Sequence, residues 1–134
     1  MTHRCRVILV EDHKLLREFL KNFVVKVDHC SVVAEAKCGI EALNAIRDVE
    51  ADIVLLDLSL PHVDGIEVLK RTKATLKGDT KFLVVTMHAD KNKIQGALEA
   101  GADGIFLKDR GPALLEKAIL ETLEGKHPYY LEKA

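Results

Sequence analysis

Four short apolar runs constrain this chain more than any other feature, because each ends in polar residues of its own kind. Val7-Ile8-Leu9-Val10 runs into Glu11 and Asp12, and Ile53-Val54-Leu55-Leu56 runs into Asp57. Phe82-Leu83-Val84-Val85 runs into Thr86, and Gly104-Ile105-Phe106-Leu107 runs into Lys108. Ile53 to Leu56 has strand length and no polar alternation, the pattern of a strand buried on both faces. Helical spacing fills the gaps. Leu15, Leu16, Phe19, Leu20, Phe23, Val24 and Val27 form one apolar stripe, and Ile40, Leu43 and Ile46 a second. Ile66, Leu69 and Leu76 form a third, and Ile94, Ala97 and Leu98 a thin fourth with Gly96 in its middle. Pro112 opens a last helix with Leu115, Ala118, Ile119, Thr122 and Leu123 on one side.

With a short second strand at Ser31 to Ala34, strand and helix alternate five times. Helices between strands impose parallel pairing. The expected fold is α/β, a doubly wound five-stranded parallel sheet of order 2-1-3-4-5, flavodoxin-like, in three layers. In such a sheet, ligands gather at the carboxyl ends of the strands, where the strand order reverses. Strands one and three flank that point and deliver Glu11, Asp12 and Asp57.

The composition excludes several alternatives. In 134 residues, 20 Lys and Arg stand against 21 Asp and Glu with no block of like charge, which argues against direct nucleic-acid contact by this domain. The apolar runs are far too short to span a bilayer, and no signal-peptide core follows Met1, so the cytoplasm is the expected compartment. Cys5, Cys30 and Cys38 make no CxxC pair and read as small residues of a reduced compartment. His13, His62 and His88 fall in loops near the proposed edge.

Three carboxylates brought together repel. At about 4 Å and an effective dielectric near 20, each pair costs about 4 kcal/mol in Coulomb terms, so the cluster must protonate or hold a cation. Hard oxygen ligands suit Mg²⁺ better than a soft metal. An Asp carboxylate can also attack a phosphoryl group and carry it as an acyl phosphate. Asp57 is the candidate, since it ends the most buried strand. Lys108 would pair with Asp57 and then with the phosphoryl oxygens, while Thr86 would offer its hydroxyl. Singly, these residues are ordinary turn, cap or surface residues. Their joint placement at one edge carries the reading.

At this point the chain resembles a receiver domain of the two-component response regulators. The resemblance rests on Val7 to Asp12, on Asp52 to Gly65 (DIVLLDLSLPHVDG), on Val84 to His88 and on Ala100 to Lys108. It implies that Asp57 is the phosphoacceptor. It implies that Glu11, Asp12, Asp57 and the backbone carbonyl of Ser59 hold Mg²⁺ directly or through water. It further implies that Thr86 and Lys108 bind the phosphoryl group and that Phe106 is an aromatic rotamer switch. Such a domain is a signalling switch that supplies groups for its own phosphorylation and dephosphorylation.

Thr86-Met87-His88, Lys108-Asp109 and Gly125 followed by Tyr129-Tyr130-Leu131 resemble the NarL/FixJ branch, which carries a LuxR-type DNA-binding domain. Residues 1–124 then read as the receiver. Residues 125–134 read as a C-terminal extension or the start of a linker to an effector domain absent from this chain, with a stand-alone receiver acting by protein contact or phosphorelay as the alternative. The implied partners are a sensor histidine kinase and, on phosphorylation, a second copy of the chain. Ser59, Met87 and His88 are expected to border the path of the hydrolytic water, with His88 giving phosphoryl lifetime a pH dependence.

Two other classes fit less well. A flavodoxin-like electron carrier needs a Ser/Thr/Gly-rich phosphate loop where Glu11-Asp12-His13-Lys14 stands. A dehalogenase-type phosphatase needs a second Asp where Ser59 stands.

Overall fold

Ile53 to Leu56, none of them more than 1% exposed, forms the central strand of the sheet. In the computed structural model, which describes residues 5–27, 29–76, 78–87 and 90–130, the chain runs β1 (Cys5–Val10), α1 (Lys14–Val24), β2 (Cys30–Ala36), α2 (Gly39–Asp48), β3 (Ile53–Leu56), α3 (Gly65–Thr75), β4 (Lys81–Thr86), α4 (Lys91–Glu99) and β5 (Gly104–Leu107). A 3-10 turn over Lys108–Arg110, α5 (Pro112–Leu123) and β6 (Tyr129–Tyr130) follow. The sheet is parallel, of order β2-β1-β3-β4-β5-β6. β1 therefore has β2 on one side and β3 on the other, which is the reversal predicted to hold the site.

Alternate residues of each strand enter opposite cores. Ile8, Val10, Val54, Leu56, Phe82, Val84 and Ile105 pack with Ala42, Ile46, Val68, Leu69 and Ala97 of α2, α3 and α4. Val7, Leu9, Ile53, Leu55, Leu83, Val85 and Phe106 pack with Leu20, Val24, Leu115, Ala118 and Ile119 of α1 and α5. Burial on both faces is why the strands read as unbroken apolar runs. Each fully buried Leu, Ile or Phe contributes about 1.5–3 kcal/mol.

The structure corrects four expectations. First, the sheet has six strands: after α5 the chain returns, and Tyr129 and Tyr130 pair with Ile105 and Phe106. Second, β2 extends beyond Ser31–Ala34 at both ends, and its register shifts opposite Val7 and Ile8. Third, the seven-residue stripe along and just after α1 is not all buried: Leu20, Val24 and Val27 are, whereas Leu15 is 72% and Phe19 51% exposed. At about 100° per residue the stripe spans about half the circumference of the helix, more than one packing face can cover. Fourth, α2 buries Ala42 and Ile46, while Ile40, about 140° round from them, is 50% exposed.

The helix ends have local causes. Asp64 caps α3 by accepting from the Glu67 N–H at 2.9 Å, and Asp90 caps α4 through the Asn92 N–H at 2.8 Å. Gly96, an apparent weakness of α4, has a packing reason: a β-carbon there would stand 3.1 Å from the Ile66 side chain of α3. Cys5 and Cys30 are buried register partners on β1 and β2, and a hydrogen bond to Cys30 pushes the Cys5 thiol up. Cys38 accepts from the Glu41 N–H at 3.5 Å at the start of α2.

Candidate functional site

The carboxyl end of β1 continues straight into Glu11 and Asp12, and that of β3 into Asp57. Their backbones are held in step, because the Asp57 N–H donates to the Val10 carbonyl at 3.1 Å and the Glu11 N–H to the Ala36 carbonyl at 3.0 Å. One carboxylate oxygen from each of Glu11, Asp12 and Asp57 lies within 4.8 Å of the others. Glu11 and Asp57 are buried, 2% and 6% exposed, and Asp12 is open to solvent.

Lys108 closes the cluster from β5. Its Nζ donates to Glu11 Oε1 at 2.6 Å and to Asp57 Oδ2 at 3.1 Å. The other Asp57 oxygen accepts the Ser59 N–H at 3.1 Å, and Glu11 Oε2 accepts the His13 N–H at 3.1 Å. Three carboxylates face one ammonium, so the cluster retains excess negative charge. Burial pushes the Glu11 carboxyl above its ordinary range against the hydrogen bond from Lys108, and the charge of Asp57 pushes it the same way. A buried Glu11 raised by desolvation and by the charge of its neighbour is a group that a small hard cation relieves.

The loop after β3 is braced by close backbone approaches. The Gly65 N–H donates to the Leu58 carbonyl at 3.0 Å, and a β-carbon at Gly65 would stand 2.5 Å from the Asp57 carbonyl oxygen. The Gly39 N–H donates to the Pro61 carbonyl at 3.3 Å, and a β-carbon at Gly39 would collide with the Val63 carbonyl. His62 takes a positive φ of 70° between them. A cleft of about 350 Å³ beside the cluster is lined by Asp12, Ser59, Pro61, Asp64 and Lys93, among others.

Of the remaining predicted residues, Thr86, Met87 and Phe106 lie on or just after the paired strands β4 and β5. Thr86 ends β4, 1% exposed, and pairs in register with Leu107, the neighbour of Lys108. Phe106 lies inward, 1% exposed, its ring centroid 5.7 Å from that of Tyr130. Met87 stands 61% exposed at the end of β4. His88 lies outside the described residues. Sequence reading missed Arg17, whose Nη1 donates to the Glu11 carbonyl at 2.9 Å. The available signal was the basic pair Arg17 and Lys21, four apart beside the buried flank of α1. It also missed Tyr130, which touches Phe106 and donates its hydroxyl to Glu121 at 2.6 Å.

Residues 7–120 match the family model of the response regulator receiver domain. The chain is 38% identical over 112 residues to the uncharacterized transcriptional regulatory protein YhcZ of Bacillus subtilis, covering 84% of this chain and 52% of that one. It is similar to the crystal structure of a LuxR-family two-component response regulator from Aurantimonas sp. SI85-9A1, with a TM-score of 0.88, 35% identity and coverage of 94% and 89%. It is also similar to the isolated REC domain of RcsB from Salmonella enterica serovar Typhimurium in the presence of phosphomimetic BeF3-, with a TM-score of 0.85, 25% identity and coverage of 95% and 94%. The chain spans about half the length of the curated relatives it matches.

Proposed function

This chain belongs to the response-regulator receiver family, a family of signalling switches, and is related to its LuxR-type members; from that premise we propose that Asp57 accepts a phosphoryl group from the phosphohistidine of a sensor kinase. The observation that carries the reading is the buried cluster in which Lys108 bridges Glu11 and Asp57 beside Asp12. The bond from phosphorus to the histidine nitrogen breaks as a bond from phosphorus to an Asp57 oxygen forms. Phosphoryl transfer asks mainly for positioning and charge neutralisation, and these side chains supply both.

Lys108 holds the Asp57 carboxylate in place and has further N–H groups for phosphoryl oxygens. The Thr86 hydroxyl, one strand away, offers another donor. The Ser59 N–H orients Asp57. Glu11, Asp12, Asp57 and the Ser59 carbonyl are the oxygens that would hold Mg²⁺, which when bound offsets the charge of the incoming phosphoryl group. Ser59 and Met87 border the approach of hydrolytic water. Phe106 couples the site to the packing between β5 and its neighbours, and this is the switch element.

We assign residues 1–124 to the receiver and 125–134 to an extension whose Tyr129–Tyr130 strand docks on β5. We place the domain in the cytoplasm, where its kinase donor would act; no helix among the described residues is long and apolar enough to cross a membrane. A structural neighbour, RcsB, is seen as dimers bound to DNA. By that likeness this chain forms a homodimer when phosphorylated and controls transcription through a LuxR-type domain beyond it.

The test is phosphoryl labelling by acetyl phosphate with Mg²⁺. Asp57→Asn should abolish label and leave the melting temperature unchanged or higher, since the swap is isosteric and removes a repulsive charge. Undiminished label on the variant would place the acceptor elsewhere.

A further inference from the structure

The turn that carries Glu11 and Asp12 is gripped at its backbone as well as at the Glu11 carboxylate that Lys108 holds. Arg17, in the first turns of α1, reaches back with Nη1 to the carbonyl oxygens of Glu11 at 2.9 Å and Asp12 at 3.5 Å. Its Nε lies 3.7 Å from Glu35 Oε1 on β2, whose other oxygen is 3.1 Å from Lys21 Nζ. The Arg17 side chain is only 18% exposed, and Glu35 stands beside Leu9 in the strand register. One guanidinium therefore ties the acidic turn to both the helix after it and the strand beside it. The usual device at such a turn is absent here: His13, the N-cap of α1, makes no side-chain cap bond.

A carbonyl fixed by a guanidinium fixes the peptide plane to which it belongs. The planes after Glu11 and Asp12 set the directions in which the two adjacent carboxylates leave the backbone. A flat fork of donors is suited to this, whereas an ammonium is a point charge without a plane. We propose that Arg17 is a positioning residue for the cation site, holding the Glu11–Asp12 turn in the geometry that lets both carboxylates serve one Mg²⁺. This rests on the functional reading above.

Charge and geometry predict opposite signs. As a nearby positive charge, Arg17 would repel Mg²⁺, and its removal would tighten binding. As a positioning group its removal loosens the turn and weakens binding. Glu35, shared with Lys21, offsets only part of the guanidinium's charge, so the measured sign of the effect decides between charge and the two carbonyl contacts.

The experiment is calorimetric titration of the full chain with MgCl₂, for wild type, Asp12→Ala, Arg17→Ala and Arg17→Lys, alongside thermal melts in EDTA. Arg17→Ala should raise the Mg²⁺ Kd about tenfold, the usual scale for groups that orient metal ligands. Arg17→Lys, which keeps the charge and loses the fork, should raise it by less. A purely structural Arg17 would lower the melting temperature and leave the Kd of the folded protein unchanged, which overturns the proposal. So does tighter binding by Arg17→Ala with Arg17→Lys unchanged, the signature of charge alone. Should Arg17→Ala fail to fold, wild-type affinity in Arg17→Lys decides against it. If wild type and Asp12→Ala bind Mg²⁺ equally, the cation site itself is wrong, and the proposal falls with it.

Discussion

β1 and β3 carry acid–base clusters at both of their ends, and the two clusters solve the same problem differently. At the amino edge the Arg6 N–H and Nε donate to Asp52 Oδ2 at 2.7 and 3.1 Å, and Nη2 donates to Oδ1 at 3.2 Å. Nη1 donates to Glu50 at 3.2 Å. The Arg6 and Asp52 side chains keep 40% and 33% of their exposure. The hydrogen bond from Arg6 holds the Asp52 carboxyl below its ordinary range. At the carboxyl edge the Glu11, Asp57 and Lys108 side chains are 2%, 7% and 7% exposed, and acids outnumber bases. Glu11 there is shifted up.

The first cluster also sets two acids against one base, but it lies open to solvent, which screens the excess; the second is buried and is balanced only by a cation or a proton. Cleft size points the wrong way. The amino-edge cleft, about 530 Å³, exceeds the one beside Asp12 and Ser59, about 350 Å³. Unbalanced buried charge, and not cleft volume, marks the edge for which the chemistry is proposed.

The largest break between the two edges should come from Mg²⁺. Asp12→Ala is expected to weaken Mg²⁺ binding by tenfold or more, while Asp52→Asn leaves it unchanged, as calorimetry on both variants would show. Equal losses would mean that the cation is bound by diffuse charge and not by the cluster.

Backbone crowding sharpens the contrast at the next scale. Gly65→Ala forces a β-carbon to 2.5 Å from the Asp57 carbonyl and should cost about 1–3 kcal/mol by urea denaturation, beyond what the better helix former returns. Gly78, at the amino-edge cleft, has no atom within 4 Å of such a carbon, so Gly78→Ala should be neutral or stabilise by about 0.4–1 kcal/mol. A tolerant Gly65 would show that the loop carrying Ser59 can shift without consequence.

The smallest effect is in pH. Asp52 has a folded pKa below its unfolded one, so its stabilisation is full above the unfolded value and disappears as pH falls through the folded value. The melting-temperature gap between wild type and Asp52→Asn should therefore be widest near neutrality and close on acidification. Glu11, shifted the other way, contributes stability at low pH that is lost as pH rises through its folded value. A gap that widened in acid would reverse the assignment of Arg6 and Asp52 as a stabilising pair.

Glu11, Asp12, Asp57, Thr86 and Lys108 were legible in the sequence because a parallel sheet aligns all its carboxyl ends, so the residue after each apolar run is placed by topology alone. Phe106 lies inward, and its role as a switch came from resemblance alone. Leu15 and Phe19 of the first stripe and Ile40 of the second proved exposed, because periodicity reports an apolar stripe without its width or its partner. Tyr129–Tyr130 was not read as a strand, since two residues carry no periodicity and pairing comes from the edge that β5 leaves open. Arg17 was missed because the pairing of Arg17 and Lys21 on α1 does not name their partners, and its shortest contact is to a backbone carbonyl, which every residue has.

Local patterning by itself determined the alternation of strands and helices, the parallel sheet, and the polar residue at each strand end. These follow from side-chain hydrophobicity and short connections, both written in residue order. Only the tertiary structure decided which oxygen meets which nitrogen: Lys108 on Glu11 as well as Asp57, Arg17 on the turn beneath, Tyr130 on Phe106. Those contacts join residues from 6 to 97 apart in the chain. Each depends on distances of a few tenths of an ångström set by packing, which no sequence interval encodes.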